Sequence, residues 1–371
     1  MTAIDPSILI VGAGPVGLTA ALELSRRGFE PQIIDNDGEP THESRALGVN
    51  ARTLELLEPS GATEALLARG LRLEGFVFRI GRHELARIAT RDIPHRFNFI
   101  LSLPQSDTER LLIEALAERG IAVHWHTALL SLGADKAGFA CRLDRDGTST
   151  TVYPATVIGA DGAHSTVRKS LGIGFAGESV PGEWGLADVE LADWPFSSNM
   201  AVATINRHQI SAFIPIREGF GRFISNHADV LNRLPPEAKV RSVAWQSTFR
   251  ISFRQVSTYQ QRNAFLAGDA AHIHSPVGAR GMNLGIEDAC WLAWLMAEGR
   301  ASKYTALRWP AGRTVLDFTE RQTRQIASRG LWADILRRYL GPALLKVPVI
   351  RRRLLASVAG LDTPQAPWLE G

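Results

Sequence analysis

The sequence predicts an α/β protein in which one nucleotide-binding domain is threaded through the chain and a β-rich module is inserted in two pieces. Three observations point there. The N-terminal run SILIVGAGPVGLTAALELSRRGFEPQIIDND reads as strand, glycine turn, helix, strand. Residues 71–104 and 176–262 turn to short alternating apolar runs, the pattern of antiparallel strands. The stretch FLAGDAAHIHSPVGARGMNLGIEDACWLAWL then returns to strand, turn and helix. The expected boundaries are 1–70, 105–175 and 263–330 for the nucleotide-binding domain, 71–104 and 176–262 for the sheet, and 331–371 for a C-terminal helical segment.

Taken in order, Ile8 to Val11 are continuous apolar β-formers, as expected of a strand buried on both faces. The following helix carries Leu18, Leu22 and Leu24 and stops at Arg26, Arg27 and Gly28. A second strand, Gln32 to Ile34, ends at Asp35. A helix is expected over Asn50 to Leu57, and GFVFRI and FNFILSL read as strands. TERLLIEALAERG is a helix with a glycine stop, and IAVHW is a strand. VYPATVIGADGAHSTVRKSLGI repeats strand, turn, helix. Turns at NRH and REGFG divide the second run of strands, and arginine-rich helical segments close the chain.

Composition narrows the class. With 371 residues the chain has room for two domains, and 45% hydrophobic with 21% charged residues is ordinary for a globular protein. Cys141 and Cys290 form no disulfide framework and fit a reduced cytoplasm. The N-terminal apolar run is short and leads straight into glycines, unlike a signal peptide, and no apolar stretch is long enough to span a bilayer. Net charge is +3, yet no acid lies between Asp334 and Asp362, where Arg337, Arg338, Lys346, Arg351, Arg352 and Arg353 fall. That segment reads as a solvated face. Its alternative, a patch for anionic lipid, is weakened by the helix breakers Pro342 and Pro348. No aromatic-basic platform indicates nucleic acid, and nothing signals an oligomeric state.

Gly12, Gly14 and Gly17 form G-x-G-x-x-G at the first strand-to-helix turn, with Ala13, Pro15 and Val16 between them. In a Rossmann-like unit the first glycine permits the tight turn. The second lets a pyrophosphate approach the backbone, and the third lets helix pack on strand. The helix N-terminus offers amide donors and partial positive charge to the phosphates. Asp35 stands where an acid binds ribose hydroxyls. The motif alone leaves FAD and NAD open. Two further acidic turns follow buried strands: Asp161-Gly162, leading to Ser165 and Arg168, and Gly268-Asp269 in the third stretch. Ligands collect at such strand ends, and three turns suggest a long cofactor contacted along its length.

The segments VGAGPVGLTAALEL, SRALGVNARTLELLEPSG, LPQSDTERLL, VIGADGAHSTVRKSLGI and FLAGDAAHIHSPVGARGMNLGIEDA, in that order, resemble the class A flavoprotein aromatic hydroxylases. This group includes p-hydroxybenzoate hydroxylase and the polyketide hydroxylases. The resemblance implies FAD as cofactor and NADH or NADPH as electron donor. It implies an aromatic small molecule, phenolic or polyketide-like, and O2 as substrates, with oxygen transferred from a C4a-hydroperoxyflavin. It assigns Gly12, Gly14 and Gly17 to the FAD pyrophosphate and Asp35 to the adenosine ribose. Arg45 and Gln105 reach the cofactor from the side. Asp161 and Gly162 are linked to both FAD and the nicotinamide donor, and Asp269 to the ribityl chain. Gly281, Met282 and Asn283 offer backbone to the flavin pyrimidine end. Pro276 lies against the reacting edge, and Arg280 adds a nearby cation unless it is an exposed loop residue. Pro276, Arg280 and Arg45 are the catalytic candidates.

Some features depart from the family pattern. No tyrosine occurs between Tyr153 and Tyr259 to ionise a phenol, and Trp291 and Leu295 stand where many relatives carry Asn and Lys. LNRLPPEAKVRSVAWQSTF looks abbreviated, and the extra thioredoxin-like C-terminal domain of the larger polyketide hydroxylases is not expected. His272 reads as a hydrogen-bonded structural residue and His208 as a turn residue. His124 and His126 share one sheet face without a third ligand, so no metal site is expected. Trp184, Trp194 and Trp245 are candidates for an aromatic pocket. The alternatives are a flavin-dependent halogenase or reductase, whose W-x-W-x-I-P signature is missing, and a non-catalytic binding module of the same fold.

Overall fold

The structure is a computed structural model describing residues 6–41, 46–136, 138–206, 209–327, 344–345 and 347–369. Arg45, His208, Arg337, Arg338 and Lys346 lie outside the described residues, as does the NRH turn beyond its asparagine. No described helix is long and apolar enough to cross a membrane.

A six-stranded sheet forms the centre. Its order is Gln260–Gln261, Ala264–Leu266, Thr156–Gly159, Ile8–Val11, Pro31–Ile34 and Val123–His124, and all but the first pairing are parallel. Ile8 to Val11 are all buried, which is why that strand is apolar without alternation. Among the described residues the helices follow in chain order. They are α1 (Pro15–Arg26), α2 (Ala51–Leu57), α3 (Ala62–Arg69), α4 (Gln105–Ala117), α5 (Thr166–Ser170), α6 (Gly281–Ala297), α7 (Tyr304–Ala327) and α8 (Pro348–Val358). Asn50 caps α2 by accepting from Thr53 N (3.0 Å). Helix α6 is apolar nearly all round and runs buried through the middle of the molecule.

A seven-stranded sheet lies over the cleft. Its order is Lys239–Phe249, Trp184–Asp193, Phe220–Ser225, Gln209–Arg217, Met200–Asn206, Gly75–Ile80 and His83–Ala89. Only Met200–Asn206 with Gly75–Ile80 is parallel. The strand Ile100–Ser102 does not join this sheet. It pairs with Gly48–Val49 and Leu71–Leu73, so the FNFILSL run yields one short strand beside the glycine-turn domain. Ser102 Oγ still ties it to the roof by donating to Pro215 O (2.6 Å).

Two other sequence expectations change. Thr127–Ala134, Phe139–Arg145 and Thr148–Val152 form a three-stranded antiparallel sheet that the sequence pattern does not mark. The IAVHW strand reduces to Val123–His124, and His126 turns away at φ 52°, its N–H donating to Asp37 O (2.9 Å). His124 and His126 therefore share no sheet face. No group of metal-ligating side chains forms among the described residues.

Close approach of α1, α6 and the Gly268 turn fixes the layers. A Cβ on Gly17 would stand 1.8 Å from Gly12 O. A Cβ on Gly285 would stand 2.5 Å from Val16 Cγ2 and 3.0 Å from Gly268 Cα. Gly285→Ala is accordingly expected to cost about 1–3 kcal/mol in urea unfolding, with part of the loss recovered in the Val16→Ala background. A neutral Gly285→Ala would contradict this packing.

Candidate active site

The parallel register places three turns at one level. Val11 stands beside Gly159, and Gly159 beside Leu266. Each strand then enters a turn: Gly12–Gly14, Ala160–Gly162 and Gly268–Asp269. The first turn is held by Gly12 N donating to Ile34 O (2.9 Å) and by Asp35. Asp35 Oδ2 accepts from Ala13 N (2.5 Å) and Oδ1 from Asp37 N (2.9 Å). The acid expected at the end of the second strand thus also stitches the glycine turn.

In the second turn, Asp161 Oδ2 accepts from Thr166 N (2.7 Å) and Val167 N (3.1 Å), while Oδ1 is buried with no protein partner. Burial raises this carboxyl above the ordinary carboxylate range, against the lowering effect of the Ser165, Val167 and Thr166 hydrogen bonds. Arg168, 5% exposed, spans from this turn to the third. Its guanidinium donates to Ala163 O (2.9 Å) and Ala270 O (3.1 Å) and lies over Phe175.

The third turn rests on a buried ionic cluster. Gly268 N donates to Asp288 Oδ2 (3.3 Å), which also meets His272 Nε2 at 2.6 Å. Arg308 pairs with Asp288 (2.8 Å) and Glu287 (2.7 Å), and Thr363 Oγ1 donates to Glu287 (3.0 Å). Burial opposes ionisation of Asp288, but Arg308 and His272 outweigh it and hold the carboxyl below its ordinary range. His272 is thus the hydrogen-bonded structural residue expected.

Asp269 itself is exposed on the cleft wall. Beyond it, His274 Nδ1 donates to Ser275 O (3.0 Å), which leaves Nε2 as a bare acceptor. Burial and neighbouring His272 push this imidazole down to about 3, so it stays neutral.

Helix α6 opens with Leu284 N donating to Arg280 O (2.8 Å), so the amides of Gly281, Met282 and Asn283 lie ahead of the helical ladder. The Asn283 side chain clamps this end. It donates to Gly48 O (2.8 Å) and Ala279 O (2.6 Å) and accepts from Asn50 N (2.9 Å) and Thr53 Oγ1 (2.7 Å). Arg280 is buried, not exposed on a loop. It bonds Ser357 O and Asp362 Oδ1 (2.7 Å), latching the end of α8 and the segment after it to the start of α6. Pro276 is exposed on the cleft wall.

The main cleft measures about 1830 Å³. Gly14, Pro15, Val16, Gln105, Gly162, Asp269, Pro276, Gly281 and Met282 line one side. Apolar residues of the seven-stranded sheet line the cleft as well, and α8 contributes Ile350, Leu354, Leu355 and Val358. Of the three candidate tryptophans only Trp184 reaches it, packed against Phe249 at 6.3 Å. Trp194 packs on Phe213 and Phe223 behind the sheet, and Trp245 lies under the Arg222 guanidinium. A second cavity of about 380 Å³ shares Gly14, Gln105 and Gly162 with the first and ends at Asp35, Glu109 and Trp125.

Glu109 is a residue that sequence reasoning missed, although it stands in the quoted LPQSDTERLL. It accepts from Gln105 Nε2 (2.9 Å), and Gln105 in turn pairs with Ala46 through both N and Oε1. Burial, with nearby Asp35 and Asp37, pushes its carboxyl up to about 7 against the hydrogen bonds from Gln105 and Thr41.

Such a fold and groove define a protein built around one extended dinucleotide cofactor facing an apolar chamber. A family model described as FAD binding domain matches residues 5–228 and 225–327. The 6-methylpretetramide 4-monooxygenase of Streptomyces rimosus is 35% identical over 96% of this chain and 69% of its own length. The pentachlorophenol 4-monooxygenase of Sphingobium chlorophenolicum is 32% identical over 88% of this chain and 66% of its own length. An anhydrotetracycline hydroxylase from Streptomyces rimosus superposes with TM-score 0.80 at 29% identity, covering 98% of this chain and 78% of that one. The chain belongs to the FAD binding domain family and, within it, to the flavin-dependent aromatic monooxygenases. Its cofactor is FAD, and reduced nicotinamide is the donor typical of the class.

Two predictions follow from the charges. Arg308→Met strips two buried carboxylates of their shared guanidinium and should cost about 3–5 kcal/mol in denaturant unfolding at neutral pH, whereas a loss under about 1 kcal/mol would contradict the cluster's role. The folded state raises the Glu109 carboxyl above its ordinary 4.5, so its stabilising effect is full below that value and falls as pH rises through about 7. Glu109→Gln should therefore match the parent near pH ~4 and exceed it by about 2–3 kcal/mol near pH ~8.5. Parallel stability-pH curves would refute the shift.

Proposed function

We propose that FAD lies along the joined groove, with its adenosine toward Asp35, its phosphates at the amides opening α1 and its ring system at the amides opening α6. One observation carries this reading: the two cavities share Gly14, Gln105 and Gly162, so one groove links both helix starts. The residues fit the group. A Cβ on Gly14 would meet nothing within 4 Å, which keeps the backbone open to a phosphate. Asp161 Oδ1 has no protein partner and supplies an acceptor.

Bound FAD supplies hydride acceptance and oxygen activation; the chain binds, orients and shields. Amides of Gly281, Met282 and Asn283 are fixed donors for negative charge at the ring's pyrimidine end. Their aim is kept by the Asn283 clamp and the Arg280 latch, so Arg280 acts through the backbone. Asp269 accepts from ribityl hydroxyls, and Pro276 borders the face on which the aromatic substrate rests. The apolar roof keeps water from that face. Arg45 is proposed as a side contact on its sequence pattern alone. The substrate is an aromatic small molecule and O2 the co-substrate.

The reading is tested by reducing the yellow protein with NADH and with NADPH under nitrogen against a panel of phenols, then admitting labelled O2. Faster reduction with a bound aromatic, and one labelled oxygen atom in the product, are expected. No stimulation and no labelled product would overturn it. Asp269→Ala should weaken FAD binding about 10–100-fold in a fluorescence titration of stripped protein, the value of a hydrogen bond to a charged group. An unchanged Kd would remove Asp269 from the cofactor site.

A further inference from the structure

From sequence alone, Pro342 and Pro348 weigh against a lipid-binding role for the basic C-terminal segment. Pro342 lies outside the described residues. Pro348 breaks nothing: it is the first residue of α8, where its missing N–H and fixed φ suit a helix start. The helix goes on through Val349 and Ile350 to three consecutive arginines.

Nine large apolar side chains are exposed among the described residues, and four of them, Leu344, Val347, Val349 and Ile350, fall within one short segment. Exposed apolar residues standing singly need no explanation, but such a cluster does. Val349 is 60% exposed. By helical spacing it shares a face with Arg352 and Arg353, which are exposed one turn behind it. Arg351 is held by Asp92 (3.0 Å), whereas Arg352 and Arg353 meet no carboxylate among the described residues. Leu344, Leu345, Ile350, Arg353 and Leu354 also line the cleft, so this tip stands on its rim.

An apolar tip with cations about 5 Å behind it matches the edge of an anionic bilayer, where acyl chains begin below a layer of phosphates. No described helix is long and apolar enough to cross a membrane, so the contact is one of lying on the surface. A second copy fits worse, because a two-fold contact would set the arginines of one tip against those of the other. We propose that the tip of α8 docks the protein on an anionic lipid surface. Val347, Val349 and Ile350 enter the acyl boundary, Arg352 and Arg353 meet lipid phosphates, and the cleft rim faces the bilayer. This docking uses none of the residues assigned to the cofactor and is independent of the hydroxylase reading.

The test uses the full chain saturated with FAD, sedimented with vesicles of phosphatidylcholine alone or of phosphatidylcholine mixed with phosphatidylglycerol. Binding is expected to the mixed vesicles only, and to be lost at ~1 M salt, where charges are screened within about 3 Å. Arg352→Gln combined with Arg353→Gln should weaken it about 25-fold, at about fivefold for each arginine near an anionic surface. Val349→Asp should weaken it at least about tenfold, since an apolar anchor is lost and a repelled charge is gained. Val240→Asp, at an exposed valine on the edge strand of the roof, should change it less than about threefold, its charge being screened from the membrane. Because these side chains are exposed, the unfolding midpoints of all variants should match the parent. Equal binding to both vesicle types, no binding to either, or equal effects of Val349→Asp and Val240→Asp would overturn the docking. A dimer in solution that Val349→Asp dissolves would also overturn it, by giving the tip to a second copy.

Discussion

Val11, Gly159 and Leu266 stand side by side in adjacent parallel strands, so the chain leaves the sheet three times at one level. Because parallel strands all point the same way, their turns must collect on one edge. Everything else about the site serves to hold these turns in place. Asp35 stitches the first to the second strand, and Arg168 ties the second to the third. The third sits on Asp288, whose charge is tolerable in the core only because Arg308 and His272 meet it. Glycines at 17 and 285 allow the helices to approach closely enough for these contacts to form.

Local signals made much of this legible. The glycine turn, the uniformly apolar first strand and the helix at 51–57 follow from short-range chemistry, and the structure has them where the pattern put them. The three turns were visible for the same reason, since each couples an apolar strand to small residues and an acid. Sheet membership was not legible. The Ile100–Ser102 strand looked like part of the roof, but its partners are remote in sequence. His126 left its strand through a positive φ that alternation does not encode.

Side-chain direction was the other blind spot. Sequence alone leaves Arg280 between a nearby cation and an exposed loop residue, and gives Asn283 a role only through its backbone amide. The buried side chains of both hold Ser357, Asp362, Gly48 and Asn50, all distant along the chain. Arg308 offered no signal beyond its place in a helical run, and Glu109 looked like an ordinary surface acid of an amphipathic helix. Burial by remote elements gives both their importance.

Division of labour emerges between the two sheets. The parallel sheet supplies backbone donors and few side chains, which suits a cofactor whose charge changes during turnover. The antiparallel sheet supplies an apolar surface, which suits orientation and exclusion of water. Helix α8 closes the space between them, held by Arg280 at one end and by Arg351 on Asp92 (3.0 Å) at the other.

A crystal structure of the protein saturated with FAD tests the central claim most directly. The account predicts one flavin per chain, its phosphates at the start of α1 and its ring system at the start of α6, between the Pro276 loop and the apolar roof. A flavin bound outside this groove, or a groove that remains filled by its own side chains under saturating FAD, would contradict it.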